Sequence, residues 1–206
     1  MLSPSSSPVS LARLALACSV AATLGDFGEL WTANAGRPEL ELTAPPSWLI
    51  VPATLVGALG IPFYAFGYHA RARCALDAAP RLARGLSASA TVFAVLGGMV
   101  HLVTGVQIQA QAGGIASGLD PLRGILASGP IVVTLWALAL LAFFVTAGLE
   151  AGLPQSPGER LRNPLVGTVL ISLAASLLPL PWRDIVGPAA FNIAHVVFFA
   201  GLARHR

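Results

Sequence analysis

Two acids, Asp26 and Glu29, and two histidines, His101 and His195, stand in long apolar stretches of this chain. Ionisable side chains inside a membrane span are costly and tend to mark functional sites. Asp26 and Glu29 are three residues apart, as are Asn192 and His195, so each pair shares one helical face. A carboxyl and an imidazole in a low-dielectric pocket can trade a proton near neutral pH, the chemistry that isomerases and cyclases of lipophilic substrates need. Asp26 is read as the general acid or base, His101 as its catalytic partner, and His195 as the third catalytic residue, oriented by Asn192. Glu29, Asn192, Trp31, Trp136 and Ser176 are read as substrate-binding.

Other chemistries draw on the same residue types. Two histidines and a carboxylate can hold zinc with one open position, giving a lipid hydrolase. A third buried histidine at matching depth is missing, so no metal ligands are assigned. No cofactor is the first expectation and zinc the second. Haem between His101 and His195 ranks last. Proton-coupled transport would use the same acids as relays, and so small a transporter would be expected to assemble as a homo-oligomer. A non-catalytic membrane subunit, docking through small-residue faces, is the remaining class.

The elements that must position these residues are helices in lipid. Of the 206 residues, 55% are hydrophobic and 10% charged, against roughly 25% charged in soluble domains. Mean hydropathy is +0.76. Spanning a bilayer core takes about 20 apolar residues. Six stretches qualify: 10–33, 47–69, 86–109, 130–150, 164–181 and 185–203. The expected fold is therefore all-α, a polytopic six-helix transmembrane bundle in a single membrane domain. Pro130, Pro164 and Pro188 fall near helix starts, where a missing N–H costs little. Pro52 and Pro62 should bend the second segment, with Gly57 and Gly60 easing the bend. Pro179 and Pro181 end the fifth.

All twelve basic residues are arginine, and nine of them fall on one side of this topology. Arg37, Arg123 and Arg183 fall on the other. The positive-inside rule then puts both termini in the cytoplasm, in the inner (cytoplasmic) membrane, with Trp31, Trp48 and Trp182 at the outer interface. The arginines form no basic stripe, so nucleic acid is not an expected partner. The expected partners are the bilayer and a lipophilic small molecule. Cys18 and Cys74 have no metal spacing and no disulfide framework. The apolar run after Arg13 continues past residue 25, which argues against a cleaved signal peptide.

Heights along the helices converge. At about 1.5 Å per residue, Asp26 and His101 each stand about 24 Å above the inner ends of their helices. Asn192 and His195 descend from the outer side to roughly 10–15 Å below that surface. Ala90, Ala94 and Gly98 form a small-residue stripe that turns His101 into the bundle. Glu150 and His69 read as interfacial. The stretch 110–129 reads as an outer connector with some lid character.

Overall fold

The computed structural model describes residues 7–35, 48–111 and 129–204, and the described residues form an all-helical bundle. The helices are α1 (Pro8–Asn34), α2 (Ile50–Gly60), α3 (Tyr64–Ala75), α4 (Pro80–Gln111), α5 (Gly129–Ala151), the short α6 (Pro157–Leu161), α7 (Pro164–Ser176) and α8 (Trp182–Arg204). Among the described residues, five units are long and apolar enough to cross a membrane: α1, α2 continued into α3, α4, α5 and α8. Residues 112–128 of the expected outer connector and the counter-side residues Arg37 and Arg123 lie outside the described residues.

Local sequence explains the boundaries. Ser7 caps α1 by accepting from the Ser10 N–H at 3.2 Å, with Pro8 at the first helical position. Asn163 caps α7 through the Leu165 N–H at 3.0 Å, and Pro164 follows. Pro62 turns α2 into α3 through one 3₁₀ turn, Ile61–Phe63, which is the bend that the sequence leads one to expect. Pro52 falls in the first turn of α2 and bends nothing.

Two boundaries differ from expectation. The fifth segment ends as a helix at Ser176, not at 181. Pro179 and Pro181 restrict the residues before them to extended backbone, so the helix stops early. At 13 residues, α7 covers about 20 Å, short of a core of about 30 Å. The sixth segment starts earlier, at Trp182, which leaves Pro188 inside α8.

Helix α1 packs against α2, α3 and α8. On the other side of α2 and α3 lies α4, which in turn packs on α5, while α7 packs on α8. Helices α5 and α7 barely meet, so the ring of helices is left open between them. The core is aromatic, built on Tyr64, Tyr68, Phe93, Phe143, Phe198 and Phe199 with small alanines between.

Candidate acid–histidine site

Glycine lets the site assemble. On α2, a Cβ at Gly57 would fall inside the His101 imidazole, overlapping Nε2, Cδ2 and Cε1. Gly57 is therefore the seat of the ring; the sequence suggested a bend there. On α4, a Cβ at Gly105 would strike Glu29 Oε1 and Thr54 Oγ1. On α1, a Cβ at Gly25 would come within 2.6 Å of the Ala53 carbonyl. Close backbone approach between α1, α2 and α4 is thus paid for by three missing side chains, as in other lipid-embedded packing.

Within that contact the imidazole of His101 lies between two carboxylates. Nδ1 is 3.2 Å from Asp26 Oδ1 and Nε2 is 3.4 Å from Glu29 Oε1. Asn192 Nδ2 donates to Asp26 Oδ2 at 2.7 Å, and Tyr64 Oη donates to Asn192 Oδ1 at 2.7 Å. The result is a line of groups, Tyr64–Asn192–Asp26–His101–Glu29, drawn from α1, α3, α4 and α8. His101, Glu29 and Asn192 are buried, and Asp26 is nearly so.

All of the line but Tyr64 forms the polar end of a cavity of about 440 Å³, within the size range of small-molecule sites. Asp26, Glu29, His101, Thr104 and Asn192 give it polar atoms; Phe93, Val100, Phe143, Leu165 and Phe191 are among its apolar walls. Trp136, Leu140, Phe144 and Val169 complete it on the side where α5 and α7 part, and each of these four is well exposed on the outer surface of the bundle. The cavity therefore opens sideways, toward what would be lipid.

Four residues singled out by sequence, Asp26, His101, Glu29 and Asn192, meet here. Trp136 is at the mouth. The rest do not join them. His195 is fully buried in the aromatic core. Its Nδ1 donates to the Phe191 carbonyl at 2.8 Å, so Nε2 is the acceptor for the Tyr68 hydroxyl at 3.0 Å. Tyr64, Phe93, Phe143, Phe191 and Phe199 surround the ring. With both nitrogens occupied and no face on the cavity, His195 is not brought together with Asp26 and His101 as the catalytic part expected of it would need. Ser176 ends α7, exposed, with its hydroxyl on the Leu173 carbonyl at 2.6 Å. Trp31, on α1, is not part of the cavity wall.

Tyr64, Thr104 and Gly57 were missed. Tyr64 and Tyr68 sit four apart in an apolar segment, and two buried phenols imply polar partners nearby; that signal was there to read. His69, expected at an interface, bridges α3 to α4 through Ser87.

A second polar cluster, at the opposite end, was also missed. Glu150 is buried and takes Arg71 Nε at 3.3 Å, Gln155 Nε2 at 2.7 Å and the Asn163 amide. Arg71 also donates to the Pro154 carbonyl at 2.8 Å. This network ties α3, α5 and the start of α7 together.

As to metals, the two carboxylates face opposite nitrogens of one imidazole and do not converge on a point. Among the described residues no group of three or more histidine, cysteine or acidic side chains has the arrangement to hold a metal ion. Comparison with protein-family models, curated proteins and solved structures found no match to this chain.

Proposed function

We propose that this chain is an integral membrane enzyme that performs acid/base chemistry, of the isomerase or cyclase kind, on a lipophilic small molecule. The observation that carries the reading is the His101 imidazole held between Asp26 and Glu29 at the polar end of a laterally open apolar cavity. Asp26 is the proton donor or acceptor. Its Oδ1 faces His101, its Oδ2 is fixed by Asn192, and it lines the cavity. His101 relays charge between the acids, so a proton leaving one can be balanced by the other without a charge escaping to solvent. The gap between α5 and α7 admits substrate from the bilayer, and the apolar walls hold its body.

Proton-coupled transport is the weaker reading, because Phe93, Phe143, Phe191 and His195 pack together beneath the cavity and the Arg71–Glu150 network lies at the far end. A zinc hydrolase would need both carboxylates to release His101.

In the membrane, the reading has six crossings, with α7 extended by Leu177–Leu180 as the fifth and both termini in the cytoplasm of a cell with an inner membrane. Supporting that orientation, Arg13, Arg71, Arg73, Arg81, Arg84, Arg160, Arg162 and Arg204 share the end away from the site. Trp48 and Trp182, both exposed, flank the other end.

The test is solvent-proton incorporation. Protein in vesicles is incubated with a lipid extract of its host in deuterated water, and lipids are analysed by mass spectrometry. Proton addition and removal at carbon leaves deuterium in the product. The expected result is one labelled or isomerised species with wild type and with Arg71→Lys, and none with Asp26→Asn or His101→Ala. Labelling that persists in folded Asp26→Asn, or no labelled species with wild type, overturns the proposal.

A further inference from the structure

The polar end of the cavity is short of positive charge. His101 faces acceptors with both nitrogens: Asp26 Oδ1 on one side, Glu29 Oε1 and the Ala53 carbonyl on the other. A ring that donates from both nitrogens is an imidazolium with a single positive charge, and it stands between two carboxyl groups. Among the described residues lining the cavity there is no arginine, and the chain has no lysine. Asn192 and Tyr64 contribute dipoles and no charge. With both acids ionised the cluster lacks one positive charge, and unbalanced charge in a low-dielectric site is expensive.

Three buried polar atoms there also make no hydrogen bond, and two of them, on Glu29 and Thr104, belong to residues that line the cavity; the third is Thr54 Oγ1, beside Glu29. Glu29 is 4% exposed, and its Oε1 has only the His101 Nε2 at 3.4 Å, an ion-pair contact that is not a hydrogen bond. Thr104 stands three residues after His101 on α4 and also lines the cavity; its Oγ1 is buried and makes no hydrogen bond. Thr23 at 2.8 Å and Thr146 at 2.7 Å satisfy the hydroxyl on the carbonyl four residues back, and Thr54, which does not line the cavity, shares with Thr104 a hydroxyl without a hydrogen bond. Thr104 departs from that habit. A buried acceptor left unpaired is costly, and unsatisfied groups at the head of a ligand-sized cavity are what a ligand's donors would meet.

We infer that the cavity takes a lipophilic amine in its protonated form, with the ammonium N–H groups on Glu29 Oε1 and Thr104 Oγ1 and the hydrocarbon body along Phe93, Val100, Phe143 and Phe191. One ammonium supplies the missing charge and the missing donors together. Its body matches walls that are mainly apolar, where the Thr168 hydroxyl is already taken by the Pro164 carbonyl at 2.7 Å. This names the substrate class of the site proposed above and rests on that reading of the cavity. A neutral alcohol would satisfy Thr104 and leave the charge uncorrected; a carboxylate would add a third negative group.

The test compares dodecylamine, dodecan-1-ol and dodecanoate, which share one tail, on the full chain in lipid nanodiscs. Binding is read by quenching of tryptophan fluorescence, with Trp136 at the cavity mouth, and by the thermal midpoint. Glu29→Gln and Thr104→Val are run beside wild type, so that partition into lipid cancels. The expected result is that the amine binds wild type at least tenfold more tightly than the alcohol, that dodecanoate binds least, and that Glu29→Gln removes most of the amine's advantage. Thr104→Val, which keeps the shape of the site, weakens the amine severalfold. Equal binding of amine and alcohol to wild type overturns the charge argument and leaves the apolar cavity standing as a ligand site. No saturable binding of any of the three overturns the reading of the cavity itself. Should Glu29→Gln fail to fold, the amine-to-alcohol ratio in wild type and the Thr104→Val result decide the matter.

Discussion

Replacing Gly57 by alanine should unseat His101, and the size of the effect follows from the geometry. The added methyl would occupy the space of three imidazole atoms, Nε2, Cδ2 and Cε1. The ring cannot tilt away cheaply, because Asp26 and Glu29 hold it from either side at 3.2 and 3.4 Å. Overpacking of this sort costs about 1–3 kcal/mol. Expelling the ring also strips a buried charged group of its partners, about another 1–3 kcal/mol. Gly57→Ala should therefore destabilise the protein by about 2–6 kcal/mol, the sum of those two terms. Gly148, in α5, has nothing within 4 Å of where its Cβ would lie, so Gly148→Ala should be neutral or stabilising by up to about 1 kcal/mol from helix propensity. The assay is equilibrium unfolding in detergent of Gly57→Ala, His101→Ala and the double variant. With the ring gone, the methyl has room, and the cost of Gly57→Ala should nearly vanish in the His101→Ala background. The coupling should therefore approach the whole of that cost, about 2–6 kcal/mol, at or above the upper end of the roughly 0.5–3 kcal/mol usual for residues in contact. If Gly57→Ala costs the same in both backgrounds, the claim that Gly57 seats the imidazole is wrong, and the older idea of Gly57 as a bend residue regains its place.

Two further expectations separate structural from functional burial. His195→Phe should lower stability by about 1–3 kcal/mol, because the Tyr68 hydroxyl loses its acceptor, yet leave amine binding in the cavity within twofold. Adding Tyr68→Phe should restore most of the loss in unfolding experiments, and loss of ligand binding in folded His195→Phe would return that histidine to the site. Arg71→Met should cost about 3–5 kcal/mol by stranding the Glu150 carboxylate; a thermal midpoint unchanged from wild type would show that Gln155 and Asn163 hold the carboxylate unaided.

Long apolar segments and their capping prolines made the helices legible, since lipid imposes length and hydropathy on every crossing. The pairing of Asp26 with His101 was legible too, because equal height above the inner surface is a matter of residue counts. Equal height does not fix azimuth. Asn192 and His195 are three residues apart, which leaves them about 60° apart around α8 at 3.6 residues per turn. That angle suffices to send Asn192 to Asp26 on α1 and His195 into the ring of aromatic residues. The Glu150 network was out of reach for another reason. Gln155 and Asn163 follow Glu150 in the connection to α7, but its cation, Arg71, comes from α3, far off in the sequence, and no local pattern brings them together.

The two buried glutamates show how burial alone fails to identify a site. Glu150 and Glu29 are about equally hidden, at 1% and 4% exposure. Glu150 has three side-chain donors on its carboxylate, one of them a guanidinium, and a charge-balanced, hydrogen-bonded acid has little left to offer a ligand. Glu29 shares its one cation, His101, with Asp26, keeps an oxygen without a hydrogen bond, and borders about 440 Å³ of open space. The same contrast divides the histidines: His195 has a partner for each nitrogen and aromatic rings on every side, whereas His101 lines the cavity between two acids. Unmet hydrogen-bonding capacity beside empty volume, and not depth in the membrane, is what singles out the α1–α4 contact as the site of the proposed chemistry.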